Sequence, residues 1–373
     1  MLKDYRFGLE TEFILKNKIN GQVLWYPHLS FEKLYALLEE IDLQGLPSCH
    51  GLDAEPAHRR LMPYVVEGYH LKNEDGTAYG MHPKGLEIRT PICDSIDHCL
   101  QVHRELKLRM DKSLNTVGLE TLVLSHHPTA HLYVGPQAGR PTHFWKWAMK
   151  AMTTYGPDIN ISSGLKEHDP VFTQTDEFLK KVNYYAPALT ALSLNSPFFN
   201  GQIGYHDSGD IILSYRTYKR SDVAPAIELH SNEGGRVEFK FFDMVASEYD
   251  YRFYFLCCLI LMHFKHLSGS APEIQRIIDL KKVAVDGPNC AWVKERLDLF
   301  KREGLPILLR LGVPAEDLKL FVYKIKSQIC PADRWIQGTR ENSFLLPSAS
   351  PSDSSHSSCI SLVQDKEVFV SNF

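Results

Sequence analysis

Several signatures of common enzyme classes are missing from this 373-residue chain. There is no GxxxxGK[ST] loop, and no GxGxxG follows a strand-like segment. Any nucleotide would therefore be held through metal ions and cationic side chains, not through a glycine-rich cradle. HExxH and GxSxG are absent too, which removes the usual zinc-protease helix and hydrolase elbow. The eight cysteines form no CxxC pair and show no metal-ligand spacing. In a chain of this size they read as reduced thiols of a cytoplasmic protein. Positive charge is not in excess: the formal net charge is -4 and the pI about 6.5. That leaves no footprint for nucleic acid and no strong pull toward anionic membranes, although a locally basic anion site stays open. The most apolar run, Phe253 to Phe264, is well short of the roughly 20 residues that span a bilayer, and reads as a buried core helix. The opening Met1-Leu2-Lys3-Asp4-Tyr5-Arg6 is charged at once and lacks the apolar core of a secretory signal.

What remains is a globular composition with alternating strand-like and helix-like segments. The length admits one large domain or two ordinary ones, and no long linker separates them. Residues 1–335 are read as one domain, and 336–373 as a flexible tail, because Pro347 to Ser358 is serine-rich and low in complexity. Helical periodicity is clear over Phe31–Ile41, Ile96–Leu114 and Ala291–Phe300. The charged outer faces of these helices read as solvated surface.

Five short segments carry the chemistry. Side chains two apart on a strand share a face. In Arg6 to Phe13, Phe7, Leu9 and Phe13 fall on one face, and Arg6, Glu10 and Glu12 on the other. Two carboxylates about 7 Å apart along a strand are close enough to bracket a divalent ion. Leu86 and Ile88 likewise oppose Glu87 and Arg89, while Val237, Phe239 and Phe241 oppose Arg236, Glu238 and Lys240. In Asp158-Ile159-Asn160-Ile161-Ser162 the isoleucines oppose Asp158, Asn160 and Ser162, and Glu67 is the charge of a weaker fifth segment, Tyr64–Tyr69. For any single strand, an antiparallel sheet with one wet face is explanation enough. As a set, the faces are rich in Glu with Arg interleaved, where ordinary wet faces favour Lys, Thr and Ser. Carboxylate oxygens suit Mg²⁺, and arginine suits phosphate or carboxylate. A concave sheet holding both is what phosphoryl transfer requires.

These residues resemble the bacterial and plant glutamate–cysteine ligases and their carboxylate–amine ligase relatives. Phe7-Gly8-Leu9-Glu10-Thr11-Glu12-Phe13 is similar to that family's G-x-E-x-E-F start, and Gly85 to Pro91 to its E-x-x-T-P strand. Leu124-Ser125-His126-His127-Pro128 resembles G-T-H-P. Leu189 to Gly201, with Asn195-Ser196-Pro197-Phe198, is close to the family's most specific signature. Ser214-Tyr215-Arg216 matches the S-x-R that follows, and Gly235 to Asp243 resembles the late G-T-x-E-x-R-x-x-D strand. The matches come in family order from about residue 7 to about 243.

The resemblance implies an α+β, glutamine synthetase-like fold, in which a curved antiparallel sheet forms an active-site funnel packed with helices. It implies that ATP phosphorylates a carboxylate and an amine displaces the phosphate, with Mg²⁺, or Mn²⁺ in its place, as the metal. The substrates would be a small-molecule carboxylate such as glutamate and an amine or amino acid, and homo-oligomerisation stays open. Mapped by motif, Glu10, Glu12, Glu87 and Glu238 become metal ligands, with Glu67 and Asp158 as further candidates. Arg216, Lys240 and Glu238 become catalytic, with Arg216 and Lys240 gripping the nucleotide's phosphates. Arg89, Asn160 and His127 become substrate contacts. For Arg216 and Lys240 a structural ion pair is the alternative, and for His127 a hydrogen-bonded structural histidine.

The chain departs from the pattern in one strand. Where the family has two inward histidines, this sequence has Asp158 and Asn160. Lys240 also stands where the family has Arg, exchanging a bidentate fork for a point charge. These changes point to a divergent member whose substrates need not be glutamate and cysteine. Three other readings stay open: an amidoligase acting on a peptide or protein carboxylate, a silent ligand-binding homologue, and a metal-dependent hydrolase resting on His126-His127. Retention of the four matched glutamates argues against the silent homologue, because an idle site tends to lose costly like-charge clusters. The histidine spacing supports no zinc site.

Overall fold

The computed structural model describes residues 1–52, 57–163, 169–220, 224–231 and 235–340. The serine-rich run from Pro347 and the closing Glu367–Val370 segment lie outside the described residues. In chain order the elements are β1 (Arg6–Asn17), β2 (Val23–Leu24), α1 (Phe31–Glu39), β3 (Tyr64–Lys72), β4 (Ala78–Arg89), α2 (Ile96–Thr116), β5 (Leu119–Leu122), α3 (Thr142–Ala151) and β6 (Pro157–Ser162). Then come α4 (Pro170–Thr173), α5 (Thr175–Thr190), β7 (Phe198–Phe199), β8 (Gln202–Ile203), α6 (Tyr215–Arg220), β9 (Ile227–His230) and β10 (Arg236–Phe239). The helices α7 (Glu248–Met262), α8 (Glu273–Asp286), α9 (Ala291–Leu311), α10 (Ala315–Ser327) and α11 (Ala332–Arg340) follow. The boundary expected after residue 335 thus falls inside α11.

The sequence alternation becomes one curled antiparallel sheet in the order β3-β4-β1-β6-β10-β9. β1 organises it. Its first half pairs with β4 and β6, and its second half leaves that sheet to pair with β2 and β5. A 12-residue strand can serve two sets of partners because its inward residues, Phe7, Leu9, Thr11, Phe13 and Leu15, stay buried throughout.

Behind the sheet lies a core that fills the convex side. Leu86, Ile88, Ile159, Ile161, Val237 and Phe239 all project into it. The apolar run predicted as a core helix is α7, which is buried almost all round and opened by Ser247, whose side chain accepts from the Tyr249 amide. Such a helix presents no polar face and must be enclosed by others; α2, α5, α9 and α10 enclose it. Phe255 of α7 meets Phe7 of β1 edge-on at 5.7 Å. Among the described residues no helix is long and apolar enough to cross a membrane. The mixed α+β architecture with a curved antiparallel sheet and packed helices is the one expected.

Candidate active site

The concave side of the sheet opens into a cavity of about 700 Å³. Strand register decides which side chains meet on its floor. Glu10 of β1 stands between Arg89 of β4 and Asp158 of β6, Glu12 opposite Glu87, and Glu238 of β10 between Asn160 and Glu228. Alternation carried across neighbouring strands therefore gathers Glu10, Glu12, Glu67, Glu87, Arg89, Asp158, Asn160, Glu238 and Lys240 in one cavity.

Charges interleave on this floor. Lys240 donates to Glu238 and, at 2.9 Å, to Asp158 Oδ2. Arg236 Nη1 donates to Glu238 Oε2 at 2.9 Å and to Asn160 Oδ1 at 2.5 Å. Asn160 Nδ2 in turn donates to Glu10 Oε1 at 3.0 Å, so Asn160 bridges the two halves of the floor. Arg89 Nε lies 2.8 Å from Glu87 Oε2 and 3.8 Å from Glu10 Oε2. His230 Nε2 is 3.0 Å from Glu238 Oε2.

Lys84 was not anticipated. Its ammonium donates to Glu12 Oε1 at 2.6 Å and to the Thr154 carbonyl at 2.9 Å, and lies 3.9 Å from Glu67 Oε1. Strict alternation from Glu87 would send Lys84 to the core side. A β-bulge prevents this: Glu67 pairs with Gly85 and Gly68 with Pro83, so Lys84 is the extra residue of the pair and its side chain swings onto the wet face. The sheet thereby gains a buried cation between two of the carboxylates expected to bind metal.

The electrostatics follow from burial and crowding. Burial, reinforced by Glu238, Glu10 and Glu12 and only partly offset by Lys240, pushes Asp158 up to about 7. Burial and the charges of Glu10, Glu67 and Glu12 also raise Glu87 well above the usual carboxylate range, against the pull of Arg89. For Glu238 burial acts upward too, but Lys240 and Arg236 outweigh it and hold the carboxyl down to about 2. Burial would lower Lys240, yet Asp158 and Glu238 hold it above its ordinary value.

The donor set fits a hard divalent ion. Carboxylate oxygens of Glu10, Asp158 and Glu238 all lie within 4.8 Å of one another. Octahedral Mg²⁺ places its ligand oxygens about 3–4 Å apart, so small side-chain adjustments bring the three together. A second group, Glu228, His230 and Glu238, meets the same limit and shares Glu238. Glu12, Glu67 and Glu87 line the same floor beside Lys84 and Arg89, just as Asp158 and Glu238 stand beside Lys240.

Two expected site residues lie elsewhere. Arg216 does not reach the cavity. Its side chain is buried beside Asp243 at 3.4 Å and donates to the Lys240 carbonyl at 2.8 Å. The reason is packing: a Cβ at Gly156 would sit 2.2 Å from Arg216 Nη2, so the guanidinium lies under the start of β6. Arg220, one turn further along α6, lines the cavity instead. Its Nε is buried without an acceptor, and among the described residues no carboxylate pairs with it. Burial and the nearby Arg216 charge pull its guanidinium down to about 10, against the attraction of Glu12, Asp158 and Glu228. It stays charged at neutral pH and stands ready for an anion. His127 is likewise absent from the cavity lining. Its Nδ1 accepts from the Ala130 amide at 2.9 Å, its ring lies 5.7 Å from that of Trp25, and burial lowers it to about 4.

The Asn195-Ser196 signature is also a structural knot. Asn195 donates to the Met244 carbonyl at 2.7 Å and receives the Trp335 indole at 2.6 Å. Ser196 Oγ accepts from the Ser125 and His126 amides at 2.5 and 2.9 Å. These bonds tie the β5 exit to the segment after β10 and to α11, behind the floor and away from it.

The curled antiparallel sheet with helices packed behind it is the glutamine synthetase-like architecture expected from the sequence. Residues 6–213 match the model of glutamate-cysteine ligase family 2 (GCS2), and the chain belongs to that family. The match takes in β1 to β8, whereas Arg220, Arg236, Glu238 and Lys240 lie beyond it. A Pseudomonas fluorescens (strain Pf-5) protein, provisionally named glutamate–cysteine ligase 2, is 30% identical over 194 residues, covering 51% of this chain and 44% of that protein. The chain thus spans less than half of this relative. Solved structures share the fold at low identity. A bifunctional glutathione synthetase from Pasteurella multocida has a TM-score of 0.57 at 15% identity, over 91% of this chain and 51% of its own. A glutamate–cysteine ligase from Francisella tularensis, in complex with AMP, has 0.54 at 12%, over 98% and 95%. The ligase PafA, in complex with the ubiquitin-like protein Pup, has 0.53 at 12%, over 99% and 78%.

Proposed function

We propose that this protein is an ATP- and Mg²⁺-dependent ligase that joins a carboxylate to an amine through an acyl phosphate. The acid would be an amino acid such as glutamate, and the acceptor an amine or a second amino acid. The observation that carries this reading is the convergence of Glu10, Asp158 and Glu238 within 4.8 Å on a floor that also faces the unpaired Arg220. Glu10, Asp158 and Glu238 would hold a divalent ion, which would supply charge neutralisation to the nucleotide's phosphates, as hard cations do in phosphoryl transfer.

In this reading the chain's own residues do the positioning. A substrate carboxylate oxygen attacks the γ-phosphorus, the bond to the β-phosphate oxygen breaks, and ADP leaves. Arg220, which lines the cavity, and not Arg216, which does not, grips the transferred phosphoryl and stabilises charge that spreads over the equatorial oxygens. Lys240, held by Asp158 and Glu238 on the same floor, adds a second positive charge. The uncharged amine nitrogen then adds to the acyl carbon, the C–O bond to phosphate breaks, and the proton lost by nitrogen leaves with the phosphate as hydrogen phosphate. Arg89, beside Glu87 and Glu10, and Asn160, held between Glu10 and Arg236, orient the acid.

The test is ADP release with Mg²⁺ and a panel of amino acids and amines. Turnover that needs both substrates, and that vanishes in Glu10→Gln and Glu238→Gln, supports the ligase. Failure to bind nucleotide with Mg²⁺ present sinks it and favours a silent binding homologue.

A further inference from the structure

Four of the cations on the cavity floor, Lys84, Arg89, Arg236 and Lys240, stand beside carboxylates. Three further arginines that line the cavity, Arg6, Arg220 and Arg140, have no carboxylate partner among the described residues, and Arg6 Nη1 donates to the Lys3 and Tyr5 carbonyls at 3.2 and 2.9 Å. Arg220 faces the acidic cluster and is accounted for by the phosphoryl group. Arg140 is at the other end, beside the edge strand β3, and the proposed chemistry gives it no task.

Its placement is specific. Nη2 donates to the His70 carbonyl of β3, and the guanidinium carbon lies 4.1 Å from the Tyr69 ring centroid and 5.8 Å from that of Phe144. Nε and Nη1 are buried, and neither meets an acceptor with hydrogen-bond geometry. The loop is held firmly. Gly139 has a φ of +68°, and a Cβ there would sit 2.7 Å from the Asn73 carbonyl, so the backbone beside Arg140 packs directly on the β3–β4 turn. A buried guanidinium with two unused donors is costly unless an anion completes it. Phe144 and Trp147 of α3 and Tyr69 make the adjoining wall aromatic.

The anion is not the transferred phosphoryl. Three strand spacings separate β3 from β6, and Tyr69 and His70 pair with His82 and Met81, far along β4 from the Arg89 level of Asp158, so Arg140 lies roughly 14 Å across the sheet from Asp158 and further still along it. The end of a nucleotide remote from its γ-phosphate is a neutral nucleoside. We infer that Arg140 anchors a non-reacting carboxylate of a substrate whose adjoining body is apolar or aromatic. The planar fork of arginine matches a carboxylate in two bonds, and the flat walls accept the body. On the ligase reading, on which this inference rests for its substrate, one of the two joined molecules carries such a carboxylate. A molecule whose reacting group and non-reacting carboxylate stand at opposite ends of an extended body has this form.

The test needs no turnover, so its failure is distinguishable from failure of the ligase reading. Calorimetric and Trp-fluorescence titrations of the full chain compare 3-phenylpropionate, its neutral amide and AMP, in wild type, Arg140→Met and Arg140→Lys. The wild type is expected to bind the carboxylate about 10–100-fold more tightly than the amide, the range of a charge-assisted pair. Arg140→Met should abolish that preference, Arg140→Lys should keep part of it, and both should retain wild-type melting and Mn²⁺ binding. A preference that survives Arg140→Met overturns the proposal, as does a wild type that binds neither compound. Loss of AMP binding in Arg140→Met with carboxylate binding unchanged would assign the arginine to the nucleotide and overturn it equally.

Discussion

Arg216 and Arg220 stand one helical turn apart on α6, and of the two only Arg220 reaches the cavity. Arg216 is the buried partner of Asp243, 3.4 Å away. The helix thus places one arginine in the core and one in the cavity, and on the proposed reading only the second meets phosphate.

Arg220→Met is expected to leave the melting temperature nearly unchanged and to lower kcat for ATP turnover on the order of 10²–10³-fold, the usual loss when one positioned donor to developing charge is removed. Arg216→Met leaves Asp243 buried without its counter-charge, and should cost about 3–5 kcal/mol in urea denaturation. Should Arg216→Met abolish turnover at full stability while Arg220→Met turns over normally, the assignment would be reversed.

Lys84 makes the second prediction. In Lys84→Met, Glu12 and Glu67 lose the ammonium between them, and the melting temperature in EDTA should fall by about 5–10 °C. Millimolar Mg²⁺ should restore part of that loss, by more than it raises the wild type, because a divalent ion can replace the missing charge. An unchanged melting temperature in EDTA would show that Lys84 is not the counter-charge.

The third concerns pH. Burial, with Lys107, lowers His103 to about 3, and burial lowers His127 to about 4. The unfolded imidazoles titrate near 6.5, so between these values the unfolded chain binds more protons. Stability from the neutral histidines is present above about pH 6.5 and is lost as pH falls toward 4 and then 3. At pH 5 each contributes a loss of about 2 kcal/mol relative to neutral pH. The urea midpoint should drop from pH 7.5 to 5, and less steeply in His127→Asn. A midpoint that does not move would contradict the buried neutral assignment.

How much of this was legible in the sequence follows from the period of each element. Alternation in Arg6–Phe13, Gly85–Thr90, Asp158–Ser162 and Arg236–Asp243 located ten carboxylates, cations and amides that the cavity gathers. A period of two is kept wherever one face is buried, so those faces could be read directly. Lys84 was invisible because the bulge opposite Glu67 and Gly68 breaks the period at that residue. Arg220 lies on a helix, where the matching residue sits four positions later, and Arg140 is in a non-periodic loop. The order β3-β4-β1-β6-β10-β9 rests on contacts distant in sequence, which no local pattern encodes. Asn195-Ser196 was legible as a signature, but its role in tying Ser125, Met244 and Trp335 together shows only in three dimensions.

The central claim is that phosphate leaves with an oxygen taken from the substrate's own carboxylate. It is tested most directly with glutamate labelled with ¹⁸O in its carboxylates, incubated with ATP, Mg²⁺ and a panel of amines, followed by mass analysis of the released phosphate. An acyl-phosphate ligase transfers one ¹⁸O to phosphate for each amide formed, and Glu10→Gln and Glu238→Gln release none. Amide formation with unlabelled phosphate would contradict the account.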